Sequence, residues 1–157
     1  MPIQRRGLLV AFCLAPLFAS AASGATAPSP APGTQPSASP AVLLARPEWS
    51  LFELGGTKLA LPPDVKAPSL EFDVATKRVS GSTGCNRLSG TFAVSRENVK
   101  FGPLAITRMA CATPLDTIET RFLAELERTK TYLIDLDASE LDLFDGDRVL
   151  ARFRAVR

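Results

Sequence analysis

The chain has 157 residues, 46% of them hydrophobic, with 18 basic and 16 acidic side chains, three cysteines and no histidine. The missing histidine excludes histidine-based hydrolase triads and the usual zinc motifs; a serine–lysine pairing stays formally open, but no local spacing singles one out. A formal net charge of +2 is too small to mark a general nucleic-acid or anionic-membrane surface.

Arg5 and Arg6 precede an apolar run from Leu8 to Phe18, and small residues continue from Ala19 to Ala25. That order describes a secretory signal peptide. The run contains Pro16 and falls well short of the roughly twenty apolar residues a spanning helix needs. A signal over residues 1–21, cleaved there or as late as 25, is therefore expected, with no stable membrane insertion afterwards. Cys13 comes directly after the bulky Phe12, whereas a lipidated cysteine comes after a small residue, so lipid anchoring is not expected. The mature protein would be periplasmic or secreted, in contact with the envelope. Cleavage removes two arginines and Cys13, and the remaining charges balance. Cys85 and Cys111 are left, and an even number in an oxidising compartment is most simply a disulfide.

Residues 22–45 are dominated by Ala, Pro, Ser, Thr and Gly, a composition that cannot bury enough apolar surface to offset its ordering entropy. They read as a tether, with Val42-Leu43-Leu44 either docking on the domain or beginning it. The folded part covers 46–157, the size of a single core.

Trp49, Leu51, Phe52 and Leu54 open a short apolar segment that Gly55-Gly56 closes, and Pro62, Pro63 and Pro68 interrupt the stretch after it. Leu70, Phe72 and Val74 alternate with Ser69, Glu71 and Asp73, the period of a half-buried strand. Val79, Leu88 to Val94, Val99 to Phe101 and Leu104 to Ile106 add short strands at close spacing, which favours an antiparallel meander. Thr113 is the expected N-cap of a helix from Pro114 to Lys130, with Asp116 placed to reach back. Its stripe is Leu115, Ile118, Phe122 and Leu126, with Glu119, Arg121, Glu125 and Arg128 assigned to the surface. Tyr132 to Leu136, Leu141 to Phe144 and Arg148 to Arg154 complete the strands, with Asp145-Gly146 marking a hairpin. The expected fold is mainly β (α+β): a curved antiparallel meander or partial barrel covered by one amphipathic helix.

The densest motif is Gly81-Ser82-Thr83-Gly84-Cys85-Asn86-Arg87-Leu88-Ser89-Gly90, with Thr107-Arg108-Met109-Ala110-Cys111 further along the chain. Gly81 and Gly84 permit positive φ or close backbone approach, and Asn86 satisfies turn amides. Linking Cys85 to Cys111 closes a loop worth roughly 3.5 kcal/mol on chain-entropy grounds. The competing reading makes Cys85 a reactive thiolate beside Arg87 or Arg108, giving a thiol-dependent redox protein that uses Cys85 and Cys111. The acidic residues Asp135, Asp137, Glu140, Asp142, Asp145 and Asp147 lack EF-hand spacing and read as turn and strand-face positions.

Together with Trp49-Ser50-Leu51, these two segments resemble the META domain of the HslJ heat-shock family over about residues 48–154. The motif positions that carry the resemblance are Gly81, Gly84, Cys85, Asn86, Gly90, Thr107, Met109 and Cys111. It implies a small β-rich domain with one helix, in an exported or envelope-associated bacterial protein linked to stress tolerance, with no established catalytic activity. Expected on this basis are no cofactor, no metal, no catalytic residue and a monomer. The partner would be an envelope protein or a small apolar ligand.

Overall fold

The computed structural model describes residues 40–45 and 48–156. The signal at 1–21 and the tether up to residue 39 lie outside the described residues. A short helix, α1 (Pro40–Leu44), precedes β1 (Trp49–Leu54) and β2 (Thr57–Lys58). Leu44 is fully buried while Val42 is exposed, and the Trp49 indole N–H donates to the Leu44 carbonyl at 2.9 Å. That bond satisfies a buried indole and fixes the chain entry to the core.

Gly55 and Gly56 both hold positive φ, +58° and +79°, which lets β1 fold straight back onto β2. The meander continues through β3 (Ser69–Asp73), β4 (Arg78–Ser82), β5 (Arg87–Ser95) and β6 (Asn98–Ile106). The helix α2 (Leu115–Arg128) intervenes before β7 (Thr131–Asp135), β8 (Glu140–Asp145) and β9 (Arg148–Ala155). All pairings are antiparallel, in the order β2-β1-β3-β4-β5-β6-β7-β8-β9, and β1 also pairs with β9. The sheet thus closes nearly into a ring, in line with the expected curved antiparallel meander or partial barrel. Two seams are thin. β1 meets β3 only at Trp49↔Leu70 and Ser50↔Ser69, and β6 meets β7 only at Asn98↔Thr131.

The ring's interior is the core. Leu70 and Phe72 point inward between Ser69, Glu71 and Asp73, and Phe72 meets Phe92 edge to face at 5.1 Å. Phe122 of α2 is fully buried, with its ring 6.1 Å from that of Phe153. Each such side chain contributes about 1.5–3 kcal/mol relative to exposure, so the helix stripe helps close the ring's interior.

Three local expectations change. Val99–Phe101 and Leu104–Ile106 are one strand, because Pro103 sits where the β5–β6 register shifts between Gly90 and Phe92; a bulge removes the need for a ladder N–H there. Thr113 is not the helix cap. The first helical bond runs from the Ile118 N–H to the Pro114 carbonyl at 3.1 Å, which makes Pro114 the half-in residue, with no side-chain cap; the Leu115 N–H is met by the Ala112 carbonyl at 2.8 Å. Asp116 bonds the N–H of Thr117 at 2.6 Å instead of reaching back.

Candidate functional site

Thr83 to Asn86 form the turn between β4 and β5, closed by the Thr83 N–H donating to the Asn86 carbonyl at 2.8 Å. Gly84 takes φ +93°, and a Cβ there would lie 3.1 Å from Leu115 and 3.2 Å from the Lys66 carbonyl. Gly81 has the other property that glycine supplies: a Cβ would lie 2.0 Å from the Ser69 carbonyl, so the β3 backbone can approach only because nothing projects from β4. Gly90 packs under Leu104 in β5.

Asn86 is 1% exposed and organises the motif. Its Oδ1 accepts the Thr107 hydroxyl at 2.9 Å and the Met109 N–H at 2.8 Å. Its Nδ2 donates to Glu119 Oε2 at 2.9 Å, with the Cys111 sulfur at 3.2 Å and the Met109 carbonyl at 3.3 Å alongside. Its N–H donates to Thr83 Oγ1 at 2.9 Å, and the Thr83 hydroxyl in turn donates to Glu119 Oε2. Thr107 Oγ1 also accepts the Arg87 N–H at 3.0 Å. Cys85 and Cys111 are bonded, with their Cα atoms 6.0 Å apart. The structure therefore gathers Cys85, Asn86, Thr107, Met109 and Cys111 into one knot, while Gly81 and Gly90 work in the strands behind it. Met109 takes part through its backbone, since its side chain is 59% exposed.

Glu119, expected on the surface, is not a free surface residue. It lies four positions after Leu115 and three before Phe122, within the apolar stripe, and its carboxylate bridges Thr83 and Asn86. Glu125 repeats the pattern near the other end of α2, 8% exposed and paired with Arg148 at 2.9 Å. Beyond it, Lys130 and Arg128 approach Asp145 at 2.7 and 3.3 Å. Chiefly the Lys130 hydrogen bond, joined by that of Arg128, holds the Asp145 carboxyl below the usual range.

Two further acidic residues of the last third face cross-strand arginines. Glu140 meets Arg154 at 2.7 Å and Asp142 approaches Arg152 at 3.3 Å. Burial pushes the Asp142 carboxyl up, against the pull of Arg152, and nearby Glu140, Glu53 and Asp135 add to the rise. Asp142 Oδ1 has no hydrogen-bond partner among the described residues. No group of three potential metal ligands assembles among the described residues, and no described helix is long and apolar enough to cross a membrane.

Two concavities mark the outside of the ring. A trough of about 1070 Å³ lies over β3, β4 and β5, reaching β1 and the end of β6. A second cleft of about 790 Å³ opens where β6 and β7 part, lined by Ala93, Val94, Val99 and the C-terminal end of α2.

A nearly closed antiparallel ring, tied to the helix α2 by a disulfide and a buried asparagine, defines a small disulfide-stapled β-domain. The META domain family matches residues 42–157, and the chain belongs to that family. It is similar to a protein from Burkholderia xenovorans solved by NMR, with 30% identity, 74% of this chain and 87% of that one covered, and a TM-score of 0.60. A second protein solved by NMR shares 28% identity over 73% of this chain and 94% of that one, with a TM-score of 0.55. A DUF4847 family protein from Bacteroides vulgatus ATCC 8482, 16% identical over 73% of this chain and 96% of that one, has the same fold at a TM-score of 0.54. No curated protein matches the chain.

Proposed function

We propose that this META-domain chain is an exported, non-enzymatic binding module of the bacterial envelope, acting in stress tolerance. The observation that carries this reading is the use to which the motif's polar groups are put. Asn86, Thr83, Thr107 and Glu119 bond one another, and the two sulfurs bond each other. A catalytic constellation aims a free nucleophile or base at a cavity; Cys85 and Thr107 border the trough, but their sulfur and hydroxyl are bonded inside the knot, which holds a turn against a helix. The disulfide supports an oxidising compartment, and the stress link rests on the family resemblance.

Two measurements test the reading. Thiol titration of the exported, unreduced protein is expected to find no free thiol; two free thiols, one of markedly low pKa, would favour the redox alternative instead. Affinity capture from envelope extract, with the immobilised attachment placed in the tether, is expected to recover a reproducible component that a reduced and unfolded control does not retain. Recovery of nothing beyond that control counts against a binding role.

A further inference from the structure

We infer that the trough over β3, β4 and β5 is a binding site for a neutral, linear polyhydroxylated chain, an extended glycan strand. The inference rests on the binding-module reading above and names the ligand class for one surface of it. Ser50, Ser69 and Ser82 stand in register across β1, β3 and β4, and Ser80 and Ser89 form a parallel row across β4 and β5. All five line the trough. Ser69 alternates with the core residue Leu70, so its side chain stands on the outer face. It is only 6% exposed, and its hydroxyl has no partner among the described residues. That hydroxyl opens only onto the trough, where solvent meets it until a ligand hydroxyl takes the water's place.

Charge and spacing choose the occupant. Glu48 and Glu71 oppose Lys66 and Arg87 in the lining, so the trough carries no net charge and offers no preference for an anionic or cationic polymer. The Ser82 hydroxyl is taken up by the turn, accepting the Gly84 N–H at 3.0 Å and facing the Asn86 carbonyl at 3.4 Å; the hydroxyls of Ser50, Ser69, Ser80 and Ser89 can each donate and accept, which suits a partner made of hydroxyls. The rows repeat at the distance between neighbouring strands, roughly 4.8 Å, close to the length of one sugar unit in an extended glycan. An extended peptide presents same-facing side chains only every ~6.7 Å and falls out of step with them. Among the described residues no aromatic side chain lines the trough, so binding is expected to be weak and to depend on several sugar units at once.

The test titrates cellohexaose and chitohexaose into the ¹⁵N-labelled mature chain and tracks amide shifts. Saturable shifts centred on Ser50, Ser69, Ser80, Ser82 and Ser89, unchanged between low and high salt and absent with the monosaccharides, support the inference. Ser80→Arg, at an exposed position, should weaken binding at least tenfold without changing the remaining spectrum. Ser69→Val should do the same, and its melting curve shows whether the fold survives. No shift up to the solubility limit of both sugars, shifts confined to the cleft between β6 and α2, or binding abolished by salt would overturn it. If the sugars fail while a protein fraction of envelope extract shifts the trough resonances, the glycan inference falls and the binding-module reading stands. If both leave the spectrum unchanged, both fall.

Discussion

Asn86→Ala is the most discriminating single change in the domain. The side chain accepts from Thr107 Oγ1 and the Met109 N–H and donates to the Glu119 carboxylate, all at 2.8–2.9 Å. A neutral hydrogen bond contributes about 1 kcal/mol net and one to a charged group about 1.5–3 kcal/mol. The three sum to about 4 kcal/mol. Glu119 and Thr107 are partly exposed and can recover some water, so a loss of ~3 kcal/mol is expected. A domain of this kind holds on the order of 5–15 kcal/mol in all, which makes that a severe loss for an amide that touches no hydrophobic core.

Urea unfolding of the oxidised protein, monitored by fluorescence of the single tryptophan, measures it directly. Trp49 is fully buried in the core, so its emission reports global unfolding. Met109→Ala is the control, because that residue contributes backbone groups and its side chain is 59% exposed; it should change stability by less than about 0.5 kcal/mol. Asn86→Asp replaces the donating amide with an oxygen facing Glu119 and should fall below the alanine variant at neutral pH. An Asn86→Ala loss under about 1 kcal/mol, or a Met109→Ala loss equal to it, refutes the account of the knot.

Replacing Cys85 and Cys111 together by serine should lower stability by about 3.5 kcal/mol, read as a drop in the urea midpoint; a loss below about 1 kcal/mol would mean that the hydrogen bonds alone hold the turn. Gly81→Ala must displace the Ser69 carbonyl, which lies 2.0 Å from the new Cβ, and should lower the melting temperature far more than Gly146→Ala. At Gly146 the φ is +63° but the surrounding space is open, so the cost is only the roughly 1 kcal/mol of a left-handed residue. Two aspartates should respond to pH in opposite directions. Asp142 has a raised folded pKa, so its contribution is present in full below the ordinary value of 3.8 and is lost as pH rises through the raised one. Asp142→Asn should therefore gain on the wild type between about pH 3 and neutrality. Asp145 has a lowered folded pKa, so its contribution is present above 3.8 and lost as pH falls through the lower value. Asp145→Asn should flatten the acid limb of the stability curve; an unchanged limb would show that the Lys130 contact carries no weight in solution.

Periodicity made much of the fold legible in the sequence. The alternation of Leu70 and Phe72 with Ser69, Glu71 and Asp73 yields β3 because a strand turns its side chains by half a revolution per residue, and no partner need be known to see it. Glu119 and Glu125 are hidden from that reading for the converse reason. Charge alone assigns them outward, although their spacing from Leu115 and Phe122 puts both within the stripe that faces the ring. A carboxylate is tolerated on that face only where a donor waits for it, and Asn86, in the β4–β5 turn, and Arg148, in β9, are distant from α2 in sequence. Pro103 splits β6 in the sequence for a similar reason, since the bulge that makes it harmless exists only against β5. The motif's cysteines are visible in the chain, but the role of Met109 is not: its contribution is an N–H and a carbonyl, and any residue type but proline has both.

The two inward-facing carboxylates explain how the ring holds at its weakest seam. A continuous meander would pair β6 with β7 along their length, but α2 is inserted between them and leaves one residue pair, Asn98↔Thr131. Near its N-terminal end, α2 is tied to the β4–β5 turn through Glu119 and, just before the helix begins, through the Cys85–Cys111 bond. At the other end it is tied to the β8–β9 hairpin through Glu125–Arg148 and Arg128–Asp145, with Lys130 adding to the same aspartate. The helix therefore spans the gap as a brace, anchored to strands on both sides of it. The Arg128 and Lys130 contacts to Asp145 are surface ion pairs worth only about 0–1 kcal/mol each, and Glu125–Arg148 keeps its cation half exposed, so the C-terminal anchors are weaker than the covalent one, and the second cleft opens beside them. Native-state hydrogen exchange should find the amides of Asn98 to Lys100 and Thr131 to Leu133 opening at lower free energy than those of β3 and β4. Reducing the disulfide should accelerate exchange around the β4–β5 turn while leaving the relative order of the two regions unchanged. Equal protection on both sides of the ring would remove the reason for assigning the brace to α2.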